Sequence, residues 1–231
     1  VEHGVALAKP MDAVTRAGAL LFKYACLTSG VFVADATALQ ETADMLMIAE
    51  RSGDDWTLAC ARFIRGLVLV HRDGPERDEG FSLLAMAREA SVQEQFTMIA
   101  VTIVDIEVAM EKLRTSDVDG AVELSRAVVE EHFAMGDKAF LATAVLVLVE
   151  SLLHRGAAAD VQEAEAAIER LEAVPTQPGY VLTRLPLLRM HALLGRARGD
   201  EETYRSFTDQ YRALAESLGF EGHIAIARAM A

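Results

Sequence analysis

Long apolar runs alternate along this chain with shorter, more polar stretches in which apolar residues recur at helical spacing. That period gathers one apolar stripe on each helix and predicts amphipathic helices from end to end. The most apolar runs are Phe63 to Val70, Met98 to Met110, Ala139 to Leu153 and Leu185 to Gly195. Each closes at an arginine, and the four, Arg72, Arg114, Arg155 and Arg198, stand 42, 41 and 43 residues apart. After each comes a turn, then a polar stretch beginning near Pro75, Asp117, Asp160 and Asp200. A period of this length signals a repeated helix-turn-helix unit.

These marks predict inner helices near 11–28, 54–72, 96–114, 138–155 and 180–198. Outer helices follow near 35–52, 78–92, 117–135, 160–173 and 200–218, and Phe220 to Met230 closes the array. Gly53 suits a left-handed helix stop and Asp54 a cap for the next helix. The same junction recurs at Gly136-Asp137, 83 residues on, and Asp117 and Asp200, also 83 apart, both stand at helix starts. Asp160 with Glu163 reads as a capping pair, and Ser116 with Asp119 as a weaker one. Pro186 falls inside the fifth inner helix, marking a late start or a kink. Val174 to Gly179 is expected to be the longest irregular connection and a bend. Small residues early in the outer helices, Gly80, Gly120 and Ala164, permit close helix packing. The expected fold is all-α, an α-solenoid of about five antiparallel helix pairs with tetratricopeptide-like geometry, over residues 11–231. Residues 1–10 lack period and read as a linker or the tail of a preceding segment.

Composition sharpens this picture. The chain has 231 residues, 52% of them apolar, and only five prolines. Asp73-Gly74 could turn a hairpin, but Pro75 directly after it suits a helix start better. A net charge of −13 disfavours a phosphate backbone as partner, so no nucleic acid is expected. Cys26 and Cys60 sit inside apolar helices and read as small buried thiols in a reducing, cytoplasmic setting. The longest apolar stretch, Ala139 to Val149, is well short of the roughly 20 residues that cross a bilayer, so no membrane contact is expected. Val1-Glu2-His3 shows neither an initiator Met nor a leader pattern, which reads as a piece of a longer protein.

The sequence does not point to catalysis. His71-Arg72-Asp73 matches a kinase catalytic-loop triplet but lacks its downstream Asn and a Gly-rich loop. No phosphate-loop pattern occurs, and the six histidines never pair at i and i+4. No cofactor, metal or catalytic residue is therefore assigned. Charged residues inside the apolar runs are more telling, because a buried charge needs a partner or a cavity. Counted back nine and seven from the ladder arginines, the positions are Phe63 and Arg65, Asp105 and Glu107, Leu146 and Leu148, Arg189 and His191. Arg65 and Glu107 share one place in adjacent repeats, as an ion pair between inner helices or as a charged floor in a concave groove. From Tyr180 to Gly199 there are four arginines, Arg184, Arg189, Arg196 and Arg198, and no acid, while the helix before is acidic. Either the two helices offset one another, or Arg184, Arg189 and His191 face an acidic partner or a phosphate-bearing ligand. The groove candidates are thus Arg65, Asp105, Glu107, Arg184, Arg189 and His191.

The stretch from Tyr211 to Ala225, YRALAESLGFEGHIA, resembles the closing segment of large actinobacterial regulators. In these, a class III adenylyl/guanylate cyclase domain or a LuxR-type helix-turn-helix is combined with an ATPase domain and a tetratricopeptide-like region. Asp54 to Glu79, with Trp56 and HRDGPERDE, is similar to an earlier repeat of that region. Neither the metal-binding carboxylates of a cyclase nor the phosphate loop of an ATPase is present, so no catalytic residue carries over. The resemblance implies a noncatalytic regulatory and interaction region, with a protein or peptide partner and upstream domains of the same chain, and it is compatible with a homodimer. The alternative is a sensor that closes its groove over a signalling peptide or a small anionic ligand.

Overall fold

The computed structural model describes residues 12–72, 74–136, 138–177 and 179–230. The expected linker at 1–10 lies outside them. Among the described residues there are eleven helices and no strand. They are α1 (Ala13–Ala25), α2 (Ala36–Ser52), α3 (Asp55–Val70), α4 (Arg77–Val92), α5 (Ile99–Arg114), α6 (Val118–Met135), α7 (Leu141–Arg155), α8 (Asp160–Glu172), α9 (Val181–Ala197), α10 (Glu201–Leu218) and α11 (Glu221–Met230). The all-α expectation holds, and the predicted helices match these to within a few residues. The chain divides into two compact units, Val1–Val104 and Asp105–Ala231.

In the first unit α3 packs against α1, α2 and α4. It is buried on nearly every side, as a helix apolar all round must be. Asp54 caps it, accepting from the Thr57 N–H at 2.7 Å, and Gly53 ends α2 at φ 69°. α4 lies so close to α3 that a Cβ on Gly66 would come within 2.9 Å of the Gly80 carbonyl oxygen. The two glycines therefore let the helix backbones touch, the role read for Gly80. Trp56 and Phe63 both pack on Phe96 with ring centres 5.8 Å apart.

In the second unit α7 holds the corresponding place, packed against α6, α8 and α9. Its residues Leu141 to Val149 are buried together with Ile106 and Ala109 of α5, Val122 of α6 and Ile168 of α8. α10 packs on α9 and α11 on α10, closing a smaller core of Leu185, Leu188, Tyr211, Ala215 and Ala227. Two salt-bridge clasps tie α6 to α8. Arg126 grips Glu163 at 2.8 and 3.0 Å, and Arg170 grips Glu130 while lying 3.6 Å over the Phe133 ring.

Three local expectations are corrected. Asp160 is the first residue of α8 and not its cap. Its carboxylate turns back to accept from the Ala157 N–H at 2.8 Å and to bind Arg155. Pro186 is no late start, since α9 begins five residues before it; there it forfeits a bond to the Leu182 carbonyl, whose residue is exposed. The connection 26–35 is longer than 173–180. Gly120, further, has a different use from Gly80: a Cβ there would strike the Asp117 carboxylate, which caps α6 through the Gly120 N–H at 3.2 Å.

Candidate functional site

The second unit carries an open groove of about 750 Å³. α7 contributes Glu150, Leu153 and His154, at i, i+3 and i+4, and α9 contributes Arg189, Leu193, Arg196 and Ala197, which recur along one stripe. Leu113, from the last turn of α5, completes the wall. The walls are thus mainly aliphatic, with the His154 and Arg196 side chains exposed.

On the groove floor the Arg189 guanidinium binds the Glu150 carboxylate, with side chains only 18% and 21% exposed. Burial raises the Glu150 carboxyl above the ordinary range, and the charge of Arg189 opposes that rise without cancelling it. The Arg189 Nε is buried and makes no hydrogen bond, so the planar fork is only partly used. Tyr211, whose hydroxyl meets His223 Nδ1 at 2.7 Å, feels the same charges. Burial pushes this phenol up to about 12, with Arg189 lowering it and Glu150 raising it, so it stays neutral. At 0% and 5% exposure, Tyr211 and His223 are closed to any substrate.

Of the six residues singled out by sequence, Arg189 lines this groove. Arg65 lies in the first unit and donates to the Leu39 carbonyl at 2.8 Å, tying α3 to α2. Asp105 and Glu107 lie in the second unit on α5, half-buried and 4% exposed respectively, and outside the groove lining. Arg184 is exposed on the first turn of α9. His191 bonds Glu172 of α8 at 2.8 Å and stacks on Phe207 at 4.9 Å, while Arg198 reaches Glu165 of α8 at 2.5 Å. The acids of α8 thus bind Arg198 and His191 of the arginine-rich stretch, but Arg189 takes its partner from α7.

Glu150 was missed, although its signal was present. It is the lone charge within the Ala139 to Leu153 run, the same criterion that picked out Arg65 and Glu107. The aliphatic lining residues carry no signal that separates them from core.

Among the described residues no cluster of His, Cys, Asp or Glu could hold a metal ion, and no helix is long and apolar enough to cross a membrane. The Cys60 thiol is buried against the Ala17 carbonyl at 3.4 Å and pushed up to about 12 by that burial, which makes it a poor nucleophile. Neither the protein-family models, nor the curated proteins, nor the solved structures include a match to this chain.

Proposed function

We propose that this chain is a noncatalytic regulatory and interaction module of a larger cytoplasmic signalling protein, built as a tetratricopeptide-like helical repeat. The observation that carries the reading is the groove of the second unit. It sets aliphatic walls, an exposed histidine and an exposed arginine over a floor that is already ion-paired, a surface suited to holding a segment and not to transforming one. Leu153 and Leu193 would seat aliphatic side chains of an extended or helical partner segment, and His154 and Arg196 would meet its acids. Upstream domains of the same chain, of the kind found in the actinobacterial regulators that its C-terminal stretch resembles, would be biased by such an engagement. The second reading, a sensor for a small anionic ligand, draws on the groove volume, which lies within the range of small-molecule sites.

Panning a random peptide library against the chain tests this directly. Enriched peptides should combine acidic and aliphatic residues, and the exposed substitutions His154→Glu with Ala197→Glu should weaken them about tenfold, or about 1.4 kcal/mol, with the melting temperature unchanged. Enriched peptides that bind the doubly substituted chain equally well would remove the groove as the docking face.

A further inference from the structure

Arg196 lines a second cavity, of about 620 Å³, which opens along the polar face of α10. Tyr204, Arg205, Thr208 and Arg212 recur along that face at helical steps, and Met230 of α11 forms part of the opposite wall. The Thr208 hydroxyl is the informative group. Its residue is 3% exposed and the oxygen makes no hydrogen bond. Of the other buried helix hydroxyls, those of Thr42, Ser91 and Ser151 bond back to the carbonyl four residues earlier at 2.7 to 3.0 Å, and that of Ser125, unpaired as well, borders only a void too small for water. A buried donor left without that bond, on the wall of a cavity, calls for a partner from outside the chain.

The charges of the cavity say which partner. Arg196 rests beside the Tyr204 ring, with its guanidinium carbon 5.7 Å from the centroid. Arg205 and Arg212 are held by Glu201 and Asp209 of their own helix, which also line the cavity and whose side chains are 62% and 70% exposed. Such exposed pairs contribute little and exchange partners readily, so both acids can swing into water while the guanidinium groups turn inward. Three guanidinium groups and a hydroxyl offer more donors than the two oxygens of one carboxylate can accept. A phosphate, with three terminal oxygens and nearly two charges, can take them, and the guanidinium fork fits it bidentately. We propose that this cavity binds the phosphate group of a small phosphorylated molecule, with Arg196, Arg205 and Arg212 supplying the charge and Thr208 a hydroxyl donor that turns out from its buried position.

Amide chemical shifts of the whole chain, followed at pH 7.5 and constant ionic strength during titration with inorganic phosphate against a chloride blank, test the proposal. Saturating shifts at Thr208, Arg212 and Met230 are expected. Arg196→Gln with Arg212→Gln should weaken the binding at least tenfold, and Thr208→Val about threefold. Glu201→Gln with Asp209→Asn, which frees the arginines and leaves the core untouched, should tighten it about threefold. Arg126→Gln, outside the cavity, should leave it unchanged. Parallel titrations with adenosine monophosphate and phosphoserine identify the source of the phosphate, since whichever binds more tightly than the free ion marks its carrier. Shifts that stay linear, or a saturating response indifferent to all of these cavity substitutions, would overturn the assignment.

Discussion

In the first unit three arginine side chains donate to backbone carbonyls. Arg65 binds the Leu39 oxygen at 2.8 Å, Arg72 that of Ala34 at 2.9 Å, and Arg77 those of Val70 and Arg72. In the second unit five donate to carboxylates. Arg126 meets Glu163, Arg155 meets Asp160, Arg170 meets Glu130, Arg189 meets Glu150 and Arg198 meets Glu165. The first unit does hold an ion pair, Lys23 with Glu41 at 3.0 Å, to which Tyr24 adds a hydrogen bond. The difference still has a physical consequence. A carbonyl carries no net charge to screen, whereas a carboxylate partner is weakened by salt and, where it is held below its ordinary range as at Asp160, is lost to acid. Helix pairs of similar outline are thus fastened by bonds that respond differently to solution conditions.

The largest effect should come from removing one side of the groove-floor pair. Glu150→Leu leaves Arg189 about four-fifths buried without its counter-charge and should cost about 3 kcal/mol in urea unfolding. Arg65→Met removes one bond from the first unit, leaves no buried charge behind and should cost about 1 kcal/mol. Equal losses would erase the distinction between the units. Because burial raises the Glu150 carboxyl, its contribution is fully present below the ordinary glutamate range and is lost as pH rises through its folded value. The Glu150→Leu deficit should therefore widen as the solution is acidified.

Asp160 should behave in the opposite sense and on a smaller scale. The Arg155 hydrogen bonds hold its carboxyl below the ordinary range, with the Ala157 N–H adding to them. Its stabilisation is present above the ordinary aspartate range and lost as pH falls through the folded value. Asp160→Asn should cost about 1 to 2 kcal/mol at pH 7 and progressively less toward pH 3, as read from thermal unfolding at each pH. A deficit that does not change with pH would mean that the carboxylate charge has no part in the turn.

How far the sequence alone reaches is clear from these residues. The helices were legible because the apolar period and the Gly53, Asp54, Asp117 and Asp200 junctions agree at each boundary. Asp160 was misread because an aspartate at a helix start can cap the helix or bind backward, and the choice depends on Arg155, whose reach is set in three dimensions. The groove was only half legible. Counting equal distances back from the ladder arginines matched Arg189 with Leu146, yet its partner is Glu150, one helical turn further on. Side chains that face each other on neighbouring helices need not stand at equal depth in the repeat, because helices cross at an angle. The ladder itself shows the limit. Arg72 ends on a carbonyl, Arg155 on an aspartate and Arg198 on a glutamate of a neighbouring helix, so equivalent positions in sequence acquire different partners.

Smaller effects sharpen the contrast. Arg126→Gln with Arg170→Gln opens both clasps between α6 and α8. Since their side chains are 44 to 45% exposed, the loss should be only about 1 kcal/mol and should vanish in molar salt. Stability of the first-unit variant Arg65→Met relative to wild type should be insensitive to the same salt. Smallest of all, native-state labelling with a thiol reagent at pH 8 should reach Cys26, half-buried, before Cys60, whose thiol burial has pushed up to about 12, without altering the melting temperature. Equal labelling rates would place Cys60 at a surface.

The most direct measurement is urea unfolding at pH 7 in low and in molar salt, read by two probes at once. Trp56 is the chain's single tryptophan and packs edge-on against Phe96 in the first unit, so its emission reports that unit, while ellipticity at 222 nm reports every helix. Raising the salt should lower the ellipticity midpoint, as the exposed carboxylate pairs of the second unit are screened, by more than it lowers the Trp56 midpoint. Equal shifts, or a larger shift at Trp56, would contradict the division into a carbonyl-fastened and a carboxylate-fastened unit.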